Sequence, residues 1–77
     1  MPSLRYKGFT IEPRTFQIRG SGRWTLDLLI SRNGGGLRAF SGPATYPTEA
    51  AAIAGCRDLA RSIIDGRDRD RSVADLT

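Results

Sequence analysis

The stretch RWTLDLLISRNGGGLRAFSG, residues 23–42, decides the fold. From Trp24 onward its apolar residues alternate, with Trp24, Leu26, Leu28 and Ile30 in one phase and Arg23, Thr25, Asp27, Leu29 and Ser31 in the other. A period of two with one apolar side is the pattern of an antiparallel strand buried on one face and wet on the other. Asn33-Gly34-Gly35-Gly36 then predicts a hairpin turn, because glycine takes positive φ without steric cost. The return strand covers 37–42, but Leu37 and Phe40 have opposite parity, so the sequence leaves open which of them faces the core.

Working outward, residues 4–13 (LRYKGFTIEP) predict a strand. Phe9 and Ile11 share a face and Tyr6 falls out of phase, which a bulge at Gly8 would reconcile. Pro13 has no N–H to donate and marks the end of that strand or a bend. Residues 15–19 (TFQIR) alternate again before the Gly20-Ser21-Gly22 turn. Downstream, Thr48 is a good N-cap and Glu49 suits the positive end of a helix dipole. Ala52, Ile53, Cys56, Leu59, Ala60, Ile63 and Ile64 recur at spacings of three and four, and Gly66 supplies the stop. Gly55 falls off that stripe and has no evident reason to be glycine. The expected fold is therefore α+β: a three- or four-stranded antiparallel sheet with a single amphipathic helix on one face in β-β-β-α order. Residues 1–66 form the expected domain. Residues 67–77 form a charged tail, either disordered or a short helix in which Ser72 caps and Val73 and Leu76 dock.

Size and composition narrow the chemistry. A chain of 77 residues holds one domain with a thin core, so self-association is a natural supplement. One cysteine excludes an internal disulfide, and the lack of histidine argues against a structural zinc site and against Ser–His or Cys–His catalysis. No constellation of acid, base and nucleophile stands out, so no enzymatic role, cofactor or small-molecule substrate is expected. Cys56 lies on the apolar helix stripe and reads as a core residue. The glycine triplet lacks the GK[ST] ending of a phosphate loop. Alternating Arg67, Asp68, Arg69, Asp70 and Arg71 read as a solvated charge run. No apolar run is long enough for a signal peptide or a membrane span, which gives a cytoplasmic expectation.

Charge is the skewed quantity. Up to residue 48 there are seven basic residues against Glu12 and Asp27, whereas residues 49–77 carry five arginines against six acids. A basic first half favours nucleic acid or an acidic partner, although arginine richness can equally reflect genome composition. If the sheet buries the Trp24 face, its other side is the candidate site. Arg19, Arg23 and Arg38, with Thr25 beside them, would then form a phosphate-binding patch. The alternative is a homodimer in which Leu29, Phe40 or Tyr46 completes an exposed apolar patch. Leu29 is awkward at the centre of a phosphate surface and natural at a protein interface.

Two resemblances add to this reading. The G-x-W of Gly22 and Trp24, the glycine turn at 34–36, and the T-E-A of Thr48, Glu49 and Ala50 resemble the arm-type DNA-binding domains of tyrosine recombinases. That resemblance covers residues 20 to 65 and implies a sheet laid in the DNA major groove with the helix behind it. It departs from the family in lacking the linker and catalytic domain, and in placing Asp27 and Leu29 on the implied DNA face. YKGF near the start, the tryptophan strand and the T-E-A-A helix are also similar to small proteobacterial proteins with a β-β-β-α domain of unknown function. This second likeness covers nearly the whole chain and implies no activity.

Overall fold

The computed structural model describes residues 3–76. Strands β1 (Leu4–Tyr6), β2 (Phe9–Pro13), β3 (Trp24–Arg32) and β4 (Leu37–Tyr46) form one antiparallel sheet in the order β1-β2-β3-β4. The helix α1 (Glu49–Ile64) and a single 3-10 turn (Ala74–Leu76) follow. The α+β fold is thus the four-stranded version of the sequence expectation.

The extra strand comes from Lys7-Gly8. No bulge forms there; both residues take positive φ, 51° and 85°, and the chain reverses in a two-residue turn. Left-handed geometry at both central positions matches the twist of the flanking strands. The reversal also explains the phase break: Tyr6 pairs with Phe9 and Leu4 with Ile11, so all four share one face.

Residues 14–18 continue beside β3 in the register set by β2, with Arg14 N–H donating to the Asp27 carbonyl at 2.8 Å and Ile18 N–H to that of Arg23 at 2.7 Å. Only Gln17 and Trp24 form a regular bridge. Thr25 N–H also donates to the Phe16 carbonyl at 3.0 Å, but side chains take over the reciprocal bond. The Thr15 hydroxyl donates to the Thr25 carbonyl at 2.6 Å, and the Thr25 hydroxyl accepts from Phe16 N–H at 3.1 Å. Local hydroxyl bonds of this kind compete with sheet pairing, so the alternation over 15–19 does not become a regular strand.

One face carries the core: Phe9, Ile11, Leu26, Leu28, Ile30 and Phe40 meet Cys56, Ala60 and Ile63 of α1. Thr48 caps the helix by accepting from Ala51 N–H at 3.1 Å. Gly66, at φ 77°, ends it: Gly66 N–H donates to the Ile63 carbonyl and Arg67 N–H to that of Ser62, the paired bonds of a Schellman stop. Gly55 now has a reason. A Cβ there would lie 2.3 Å from the Tyr46 hydroxyl and 2.4 Å from its Cζ, so the helix accepts the β4 ring only at a glycine. The segment after Gly66 covers the β4 side of the core. Val73 and Leu76 are buried, the Ser72 hydroxyl accepts from Ala74 N–H, and the Leu76 carbonyl approaches Gly35 closely enough to exclude a side chain there, with the Leu76 side chain against Gly36.

Candidate interaction surface

The face away from α1 follows from the strand registers. Arg5, Thr10, Ser31 and Leu37 form one row across it, Glu12, Leu29 and Ala39 the next, and Asp27 and Ser41 a third. Arg14 and Phe16 extend the β2 phase past Pro13, and Thr25 and Thr45 close the far end. Nothing in the described chain lies over these rows. Small hydroxyl side chains and charged residues alternate with an apolar set, Leu29, Leu37, Ala39 and Phe16. Leu37 is 63% exposed and Phe16 57%, whereas Leu29 is half-buried between its row neighbours.

The expected arginine patch is divided. Arg23 lies on the open side, where its Nε donates to the Thr45 hydroxyl at 2.6 Å and its Nη2 to the Thr45 carbonyl at 2.8 Å. Thr25 is beside it, and Arg19 is in the turn that leads to it, so these three gather at one end of the sheet. Arg38 does not join them. It pairs with Ile30 and therefore falls on the helix side, at the opposite end of β3, where it meets Asp75 at 2.9 Å. Five residues of strand separate Thr25 from Ile30, the partner of Arg38, roughly 17 Å at about 3.4 Å per residue. Arg14 is paired with Glu12, and Arg32 stacks over the Phe9 ring.

Of the apolar candidates, Leu29 lies on the open face. Phe40 does not: it pairs with Leu28 and is buried in the core. Tyr46 does not either, because it pairs with Trp24 on the helix side and packs its ring over Gly55. Sequence reasoning missed Leu37 and Ala39 as surface residues. The signal was the conflicting parity of Leu37 and Phe40, which the burial of Phe40 resolves in favour of an outward Leu37.

The outer edge of β4 completes the surface. Arg32 N–H donates to the Gly36 carbonyl at 3.1 Å. Bonded and non-bonded pairs alternate along an antiparallel ladder, so Arg38, Phe40 and Gly42 turn their peptide groups to β3, and Leu37, Ala39 and Ser41 turn theirs outward. Two outward carbonyls are capped: Arg71 Nη2 donates to that of Ser41 at 2.8 Å, and Arg23 Nη2 to that of Thr45. Pro43 has no N–H, and a register shift opposite Thr25 and Leu26 displaces the chain around it. The half of the edge beyond Ser41 is thereby protected against strand addition, by devices typical of edge strands. Along the half from Leu37 to Ser41, only the Ser41 carbonyl among the outward groups is hydrogen-bonded by a described residue.

Two other places carry polar chemistry, and both serve the fold. Asp65, at the helix C-terminus, accepts from Lys7 Nζ at 2.6 Å and from the Tyr6 hydroxyl at 2.8 Å. These bonds hold its carboxyl below the ordinary aspartate range, and the same contact raises Lys7. The shallow depression there, lined by Tyr6, Asp58, Arg61, Ser62, Asp65 and Arg67, has its charges mutually paired. Cys56 is fully buried with Sγ 3.2 Å from the Asp27 carbonyl, and burial pushes its thiol up, away from the reactive thiolate. Among the described residues there is no cluster of His, Cys, Asp and Glu that could hold a metal, and no helix long and apolar enough to cross a membrane.

The arrangement defines a small α+β domain with a helix-covered core, an open sheet face and a half-protected edge. No protein-family model and no curated protein matches the chain, so its function is read from this geometry.

Proposed function

We propose that the chain is a non-enzymatic protein-interaction module whose contact surface is the β4 side of the open sheet face, centred on Leu29, Leu37 and Ala39. The observation that carries this reading is the coincidence of two idle features. The apolar trio occupies adjacent positions on a face that none of the described residues covers, and no described residue hydrogen-bonds the outward backbone groups of Leu37 and Ala39 beside it. Apolar contact at a patch centre with a polar rim is the usual anatomy of protein interfaces. The rim here is Thr10, Ser31, Glu12 and Asp27. A photo-crosslinking amino acid at position 37 tests the reading in cells that express the protein. Protein adducts from position 37, and none from position 54 on the exposed side of α1, are the expected result; adducts at neither position would overturn it.

A second reading has its own observation. Arg19, Arg23 and Thr25 converge at the β2–β3 end of the sheet beside exposed Phe16, an arrangement that suits phosphate contact with stacking. Nucleic acid would then bind at this end, without Arg38. Titration of labelled protein with a short mixed-sequence duplex at two salt concentrations tests it. Salt-sensitive shifts at Arg19, Arg23 and Thr25 would support this reading, and their absence at low salt would remove it.

A further inference from the structure

We infer that the partner at this surface is a second copy of the same chain, joined by antiparallel pairing of the Leu37–Ser41 half of β4 about a two-fold axis at Ala39. The inference rests on the interaction reading above and specifies its partner. Its basis is the pattern of idle and capped groups along the edge. Outward peptide groups occur at Leu37, Ala39 and Ser41, a set symmetric about Ala39. A two-fold there sets Ala39 against Ala39 and Leu37 of each copy against Ser41 of the other, and in this register every outward group meets an outward group. Of the six bonds, the two that need the Ser41 carbonyl meet the Arg71 cap, and the other four use groups that no described residue hydrogen-bonds.

Side chains favour the same register. On the open face the axis carries only alanine methyls, so the two backbones can reach sheet spacing without collision. Each Ala39 is flanked by its own Leu29, which makes one apolar row, Leu29–Ala39–Ala39–Leu29, across the joined sheet. On the helix side each Arg38 brings its own counterion, Asp75, so that two like charges do not meet unpaired. The other edge of the sheet, β1, is only three residues long and offers no comparable run. An interface built on five residues of strand falls short of the ~1,200 Å² at which stable complexes begin. The expected dimer is therefore weak and concentration-dependent.

Cysteine trapping reads the register directly. Hydrogen-bonded antiparallel pairs have Cα atoms about 5.5 Å apart, within disulfide range. Ala39→Cys should form a covalent dimer under mild oxidation. Leu37→Cys should not, since its symmetry mate is displaced by four residues, roughly 13 Å, whereas Leu37→Cys with Ser41→Cys should. The native Cys56 is fully buried and can stay. Ala39→Pro removes an N–H that β3 does not use, so the monomer should remain folded by circular dichroism. Two bonds of about 1 kcal/mol each are lost, and self-association in sedimentation velocity should weaken by about tenfold or more. Trapping of Leu37→Cys as fast as Ala39→Cys, or a wild-type protein that stays monomeric as concentration rises, would overturn the proposal. Adducts from position 37 to a different protein, with no trapping at 39, would overturn the second copy and leave the interaction reading standing; no adducts and no trapping would remove both.

Discussion

Leu28 and Leu29 are neighbours in one strand and live in different solvents. Leu28 is 1% exposed under α1, with Ile11, Ile30 and Phe40 around it. Leu29 faces the other way, between Glu12 and Ala39 in a layer that ends at the sheet. The chemistry of the two side chains is the same, so the difference lies in what the fold places above each of them. Burial on the helix side is a property of the monomer. On the open side Leu29 is only half-buried, and fuller burial would require another molecule.

The largest effect should come from breaking the covered side. Leu28→Ala leaves a cavity in a small core and should cost roughly 2–5 kcal/mol in urea denaturation. Leu29→Ala should cost about 1 kcal/mol or less at the same protein concentration, in keeping with a half-buried side chain that has only its row neighbours around it in the monomer. Equal losses at the two positions would mean that the open face contributes to the folded core and is not idle.

Gly55→Ala sharpens the comparison, because propensity and packing disagree about its sign. Helix propensity alone makes alanine better by about 1 kcal/mol. Its Cβ, however, would run into the Tyr46 ring, and overpacking of this kind costs roughly 1–3 kcal/mol. A net loss of stability is expected, reversed when Tyr46→Ala is made first. Stabilisation by Gly55→Ala alone would show that the ring moves aside freely.

The smallest effect concerns Asp65, which ties the β1–β2 turn to the helix end. Lys7 and then Tyr6 hydrogen-bond the carboxylate and depress its folded-state pKa. Its contribution is therefore present above the ordinary aspartate value near about 4 and is lost as pH falls through the folded-state value. Lys7 is raised by the same bond, so its share is present below the ordinary lysine value and fades at alkaline pH as the folded-state value is passed. Asp65→Asn should lower the melting temperature at neutral pH and flatten its decline below about pH 4. An unchanged acid limb would place the acid sensitivity elsewhere, with Asp68 next in line because backbone N–H groups and Arg71 also depress its pKa.

The sequence made the covered side legible and the open side only in part. Alternation in β3, the helix stripe and the Gly66 stop are local patterns, and the structure keeps each of them. Which side of β4 faces the core depends on pairing across the glycine turn and on the register shift near Pro43, and no local pattern encodes either. That is why Arg38 and Phe40 were expected on the open face and lie on the helix side, and why Leu37 and Ala39 went unnoticed. Gly55 made sense only once Tyr46 stood over it, a contact between residues of two different elements. The Lys7-Gly8 turn lacks the usual Asn-Gly or Asp-Gly signature, so one interrupted strand and two short ones read alike.

The central claim is that the Leu37–Ser41 edge and the face beside it are where this protein meets another. Amide hydrogen exchange of the labelled protein, dilute and concentrated, addresses it residue by residue. In dilute solution the N–H groups of Leu37, Ala39 and Ser41 should exchange rapidly while those of Arg38 and Phe40, bonded to β3, are protected. On concentration, Leu37, Ala39 and Ser41 should gain protection and the amides around Arg19, Arg23 and Thr25 should not change. Exchange at Leu37, Ala39 and Ser41 that stays fast at every concentration and in a lysate of the expressing cells, with DNA protecting Arg19, Arg23 and Thr25 instead, would contradict the account.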